Sequence, residues 1–188
     1  MALIAGDEAF GVPLSKAPTL FTLDEGRNDV NAPQESEIPS YAERARTSRA
    51  RITTEHGDIL FTFFPDDAPQ HVAAFMKLAD EGFYDGLLFH RVEPGFVVQG
   101  GDPRGDGTGG PGYNLKAEFN ARPHLRGTVA MARSSQSDSA GSQFYICLGD
   151  ARFLDGQYTV FGQMSDGFEA LDAIRRGDAM KSVRVEPL

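Results

Sequence analysis

Several residue patterns in this sequence could carry chemistry, and most lack the context that chemistry needs. His56, His71, His90 and His124 lie far apart, and none belongs to an H-x-x-x-H or cysteine-paired spacing, which argues against zinc or any other metal. The serines at 134, 135, 137, 139 and 142 contain no G-x-S-x-G elbow on which to build a hydrolase triad. Gly105, Gly107 and Gly110 match G-x-G-x-x-G, but Pro111 and Gly112 follow where a phosphate-binding helix should open, so a glycine-rich surface loop is the better reading. Cys147 cannot form an internal disulfide, and its apolar neighbours Phe144, Tyr145, Ile146 and Leu148 mark it as a core residue and not a nucleophile.

Three segments remain that composition does not explain. They are Phe89-His90-Arg91-Val92-Glu93-Pro94-Gly95-Phe96-Val97-Val98-Gln99-Gly100-Gly101-Asp102, then Met131-Ala132-Arg133 with Ala140-Gly141-Ser142-Gln143-Phe144-Tyr145-Ile146, then Phe153-Leu154-Asp155-Gly156-Gln157-Tyr158-Thr159-Val160-Phe161-Gly162. In order and spacing they resemble the cyclophilin family, over about residues 51 to 185. The resemblance implies a mainly β fold, a closed eight-stranded antiparallel barrel capped by two helices, and peptidyl-prolyl cis/trans isomerase activity with no cofactor. It places the catalytic arginine on Arg91 and the proline pocket on Phe96, Val97, Tyr145 and Leu154. Gln99 and Gln143 match polar contacts, Ala132 and Arg133 the stretch that pairs with substrate backbone, Gly107 the groove's edge, and Phe153 and Tyr158 two further wall positions. This chain has Val97 where the family often has Met, Tyr145 for Phe, Phe153 for Trp and Tyr158 for His. Implied partners are proline-containing peptides and unfolded or folding proteins, with cyclosporin held at reduced affinity. A binding module of the same fold with little turnover is the alternative, and retention of Arg91 with both glutamines favours the enzyme.

The reaction suits these residue types. Resonance makes rotation about a peptide bond cost about 18–20 kcal/mol, and X-Pro bonds exchange over tens of seconds or longer. No bond has to be made, so a nucleophile or general base has no task. As the bond twists, the proline nitrogen gains a lone pair that a permanently charged donor such as Arg91 binds more strongly than the planar ground state.

The elements that must position these residues follow from periodicity. Ile52 and Thr54, then Ile59, Phe61 and Phe63, flank a turn at His56-Gly57-Asp58 and predict a hairpin. A helix capped by Asp66 or Asp67, with Pro69 in its first turn, buries Val72, Phe75, Met76 and Ala79. Strands are expected over 88–92, 96–100, 128–132, 143–148, 159–163 and 182–185, and a second helix over 167–175. On a strand, Gln143 and Tyr145 share one face while Phe144 and Ile146 share the other. Residues 1–49 read as an extended arm broken by Pro13, Pro18, Pro33 and Pro39, with a short helix over about 41–48 opened by Ser40 and Glu43. The isomerase domain is expected over 50–188.

With 27 acidic against 18 basic residues the net charge is -9, which disfavours nucleic acid as a partner. Arg44, Arg46, Arg49 and Arg51 form the one basic cluster, read as a solvated face. No apolar run is long enough to cross a bilayer, and Asp7 and Glu8 interrupt any secretory signal. A monomer in the cytoplasm is expected.

Overall fold

The computed structural model describes residues 31–188. Eight antiparallel strands form one sheet: β1 (Ser48–Thr54), β2 (Gly57–Phe63), β3 (Arg91–Glu93), β4 (Val97–Gly100), β5 (Thr128–Met131), β6 (Phe144–Cys147), β7 (Val160–Asp166) and β8 (Ser182–Pro187). Their order is β3-β4-β6-β5-β7-β2-β1-β8. The ladder of paired strands therefore has two ends, β3 and β8, where a closed barrel was expected. The segments just before those strands meet instead. Phe89 donates its N–H to the Asp178 carbonyl at 2.8 Å, and Met180 donates to Leu87, also at 2.8 Å. Leu88, expected to open β3, thus belongs to an isolated bridge with Ala179.

Among the described residues three α-helices accompany the sheet: α1 (Ile38–Ala45), α2 (Pro69–Asp80) and α3 (Phe168–Ala173). The first begins before Ser40, because Pro39 fits the first helical turn with its φ already fixed. Ser40 then lies inside the helix, and its hydroxyl donates to the Glu37 carbonyl at 3.0 Å. Ala45 is buried, Tyr41 packs on the core, and Arg44 grips Asp80 of α2 at 2.5 and 2.9 Å. The domain boundary expected at residue 50 falls inside β1. Residues 1–30 of the arm lie outside the described residues.

Neither Asp66 nor Asp67 caps α2; these carboxylates pair with Arg46 and Arg122. Glu118, far along the chain, takes the cap instead. Its two carboxylate oxygens accept the N–H groups of Gln70 at 3.1 Å and His71 at 3.0 Å, satisfying donors that a helix N-terminus leaves open. The cluster read as a solvated basic face is ion-paired throughout, since Arg49 and Arg51 share Glu186 on the neighbouring β8.

The sheet separates two apolar clusters. The larger joins Ile52, Phe61, Val98, Val129, Phe144, Ile146 and Phe161 with the inward side of α2. Phe75 sits at its centre, with ring centroids 5.0 Å from Tyr84, 5.3 Å from Phe61, 5.4 Å from Phe161 and 5.5 Å from Phe144. Phe75→Ala should therefore cost about 3–5 kcal/mol, the range for removing a buried aromatic ring from a packed core. Chemical denaturation would read this as a lower midpoint, and a loss under about 1 kcal/mol would contradict the central role of the ring.

Candidate active site

The second cluster lies on the other face of the same strands. Val97, Ala130, Ala132, Tyr145, Cys147, Ala151, Leu154, Tyr158 and Val160 are buried there, with Phe64 and Phe96 packed against them. Alternation produces the split: Val98, Phe144 and Ile146 face the interior, so Val97, Gln99, Tyr145 and Cys147 face outward. Register then sets the row, because Arg91 pairs with Gln99, and Gln99 with Tyr145.

A polar chain runs along one side of this apolar patch. The Arg91 guanidinium donates through Nε to Glu93 Oε1 at 2.9 Å and through Nη2 to the same oxygen at 2.5 Å. Its Nη1 donates to Gln99 Oε1 at the longer distance of 3.4 Å. Gln99 Nε2 donates to Gln143 Oε1 at 3.1 Å, and Gln143 Nε2 donates to the carbonyls of Gly107 at 3.0 Å and Gly109 at 2.8 Å. Both glutamines are buried, so each has its amide groups satisfied by the next member of the chain. Gly101 lets β4 turn away at this point: its φ is +86°, and a Cβ there would collide with the Ser142 carbonyl.

Each residue singled out from the sequence lies in or beside this patch. Phe153 is 58% exposed at the rim and stacks on Phe96 with centroids 5.5 Å apart. Arg133 lies over the Tyr158 ring at 4.7 Å, and its Nε donates to the Gln157 carbonyl at 2.9 Å. The Ala132 N–H donates to the Gln143 carbonyl at 2.9 Å, tying the end of β5 to β6. Tyr145 is fully buried and forms the floor of the patch, not its wall.

Two groups escaped the sequence reading. Glu93, not Gln99, is the closest partner of Arg91, and the i, i+2 spacing on a strand could have revealed it. His124 is buried against the floor, its Nε2 2.9 Å from the Tyr145 hydroxyl and its Nδ1 2.9 Å from Asp155 Oδ1. The one hint was the Tyr145 hydroxyl itself, which needs a partner once buried. Burial pushes the His124 pKa below the ordinary histidine value and pushes the Cys147 thiol up to about 12. Cys147 is thus an uncharged thiol at neutral pH and a poor nucleophile. Burial also lowers the His90 pKa, although neighbouring Asp102 opposes it.

Known proteins resemble this chain in sequence and in fold. Residues 49–187 match the family model described as cyclophilin type peptidyl-prolyl cis-trans isomerase/CLD. A peptidyl-prolyl cis-trans isomerase of Synechococcus elongatus is 49% identical over 140 residues, covering 73% of this chain and 96% of that protein. Peptidyl-prolyl cis-trans isomerase B of Bacillus subtilis is 52% identical over 130 residues, covering 68% and 90% respectively. The crystal structure of a Cryptosporidium parvum cyclophilin type isomerase, determined in the presence of the dipeptide Ala-Pro, superposes with a TM-score of 0.68 at 30% identity. It covers 74% of this chain and 99% of that one. On the family model, these identities and the structural superposition, the chain belongs to the cyclophilin family and is a peptidyl-prolyl cis-trans isomerase.

Proposed function

We propose that Arg91 is the catalytic residue of this isomerase and that the outward cluster beside it holds the proline ring. The observation that carries this reading is the adjacency of a held guanidinium to an apolar patch floored by Tyr145 and Leu154. Glu93 and Gln99 take three of the five guanidinium N–H groups, which leaves two to meet a substrate. Such a donor, fixed beforehand, stabilises the lone pair that appears on the proline nitrogen only in the twisted state, and that difference between states lowers the barrier. Phe96, Val97 and Leu154 provide the apolar walls. Gln143, locked to the 107–109 loop, and the strand around Ala132 and Arg133 fix the flanking backbone while the other end rotates.

An Ala-Pro unit, as used with the Cryptosporidium relative, is the substrate fragment proposed for this pocket. Proline-containing segments of unfolded and folding proteins are its proposed larger substrates. A reducing compartment, the cytoplasm, is proposed on the free and buried Cys147.

Arg91→Ala should lower kcat/KM by well over tenfold with the fold intact, each tenfold corresponding to about 1.4 kcal/mol of transition-state stabilisation. A near-normal rate with an Ala-Pro peptide would remove Arg91 from the mechanism. Because no group in this mechanism gains or loses a proton, kcat should stay level from about pH 5 to about pH 9, and a bell-shaped kcat profile would point to other chemistry.

Glu93 bears on the same cation from the other side. Glu93→Gln keeps an acceptor but removes the charge that clamps the guanidinium, so kcat should fall roughly two- to tenfold, the range of one charge-assisted hydrogen bond weakened. Unchanged kcat would show that Gln99 alone suffices to orient Arg91.

Phe153 sets the expectation for cyclosporin. Phenylalanine has no indole N–H, so a ligand carbonyl that relies on that donor is left unmet, at a cost of about 1–3 kcal/mol or one to two decades in affinity. Phe153→Trp should tighten inhibition by cyclosporin more than it alters turnover. Equal inhibition constants for the two proteins would show that this rim position does not govern the groove.

A further inference from the structure

At the pocket floor a buried histidine, His124, joins a partly exposed carboxylate, Asp155, to the Tyr145 hydroxyl, and the isomerisation mechanism uses none of these polar groups. Asp155 Oδ1 lies 2.7 Å from the His124 backbone N–H and 2.9 Å from its Nδ1. His124 Nε2 lies 2.9 Å from the Tyr145 hydroxyl. Neither the histidine nor the tyrosine side chain is exposed. The rings of His124 and Tyr145 are nearly parallel, tilted by 15°, and Tyr158 meets both edge-on at 79° and 87°.

The hydrogen-bond inventory fixes the direction of this relay. A carboxylate can only accept, so Nδ1 of His124 carries the proton, and in the neutral ring Nε2 is then an acceptor. The Tyr145 hydroxyl must donate to it. That tyrosine ring is also the floor on which a proline would rest, in one cluster with Val97 and Leu154.

We propose that His124, fixed by Asp155, is a positioning residue for substrate binding: its neutral ring accepts the Tyr145 hydroxyl and holds the pocket floor in place, and its protonation releases that hold and weakens the binding of proline peptides. A protonated ring would present an N–H to the hydroxyl oxygen. The Tyr145 hydroxyl would then lose Nε2 as its acceptor and have to turn its proton elsewhere within the cluster of Val97, Ala130 and Leu154, or the ring would have to tilt. The effect falls on KM and not on kcat, because Arg91 lies outside the relay.

The surrounding groups set where this titration falls. Burial disfavours the imidazolium, while the Asp155 carboxylate favours it, and the first effect is the larger. Desolvation raises the Asp155 pKa, but the two His124 N–H groups, with Arg152 adding to the shift, hold it below its usual value. Around the tyrosine stand Cys147, Tyr158 and Arg133; burial keeps both the tyrosine and the thiol protonated. His124 therefore gains its proton below the ordinary histidine range, so binding is at full strength at neutral pH and is lost as pH falls.

The inference rests on the proline pocket proposed above, but its test reads binding and does not require turnover. The dissociation constant of an Ala-Pro peptide would be measured by calorimetric titration from about pH 7.5 down to the lowest pH at which circular dichroism shows the fold intact. In the unaltered protein it should rise roughly three- to tenfold over that range. Asp155→Asn should move this rise to lower pH, because it removes the charge that favours the imidazolium. Tyr145→Phe should abolish the rise, whatever its affinity at neutral pH, since the ring loses the group that His124 senses. Nitrogen-15 NMR of the His124 ring at neutral pH should show the Nδ1–H form. A level dissociation constant in the unaltered protein, the same rise in Tyr145→Phe, or an Nε2–H ring would each overturn the proposal. Failure of Arg91→Ala to slow the reaction would refute the catalytic assignment and leave the relay standing. Failure of the peptide to bind at any pH would instead refute the pocket itself.

Discussion

The site depends on one row of strand register. Arg91 on β3, Gln99 on β4, Tyr145 on β6 and Ala130 on β5 are successive partners across four strands, so their side chains leave the sheet on one face. A slip of one residue between β4 and β6 would turn Phe144 and Ile146 toward solvent and carry Tyr145 into the aromatic interior. The interior therefore enforces the exterior. Phe75 and Tyr84 meet the Phe144 ring edge-on, with Phe61 and Phe161 packed on Phe75, and the energy of that packing is what holds Gln99 and Tyr145 on the opposite face.

Much of this was legible because it rests on local rules. Period-2 alternation located β4, β5 and β6 to within a residue or so, and the apolar spacing of Val72, Phe75, Met76 and Ala79 located the inward face of α2. What was not legible involves partners that sequence distance hides. Glu118 caps α2 from beyond two strands, leaving Asp66 and Asp67 to arginines, although either aspartate is a reasonable cap by local criteria. His124 and Asp155 are brought together by tertiary folding alone, which is why four scattered histidines looked chemically idle. The split between Leu88 and β3 has a similar origin, since the bridge to Ala179 is visible only when the C-terminal part of the chain is in place. The roles proposed for the outward residues came from the family resemblance, since periodicity can assign a face but not a task.

Charge is distributed with the same economy. The protein carries a net charge of -9, and its arginines are drawn into specific pairs: Arg44 with Asp80, Arg46 with Asp66, Arg51 with Asp58 and Glu186, Arg126 with Asp172, and Arg184 with Asp85. Most of these are partly exposed and contribute little individually to stability. Their effect is on geometry, since several join elements distant in sequence. Arg91 differs in that its carboxylate partner lies two residues away on its own strand, so the pair travels with β3 and needs no other element to form.

The open ladder has a consequence for how this molecule meets copies of itself. A sheet with two ends offers unpaired backbone groups to any passing strand, the usual route to edge-to-edge association. At the β8 end that invitation is withdrawn: the Asp85 side chain accepts the Val183 N–H at 3.0 Å and holds Arg184 through both carboxylate oxygens, while Pro187 has no N–H to give. A single aspartate thus acts as a sentinel on the margin of the sheet. It occupies the position that an added strand would need at Val183, so this margin of the sheet is obstructed as a template for edge-to-edge pairing.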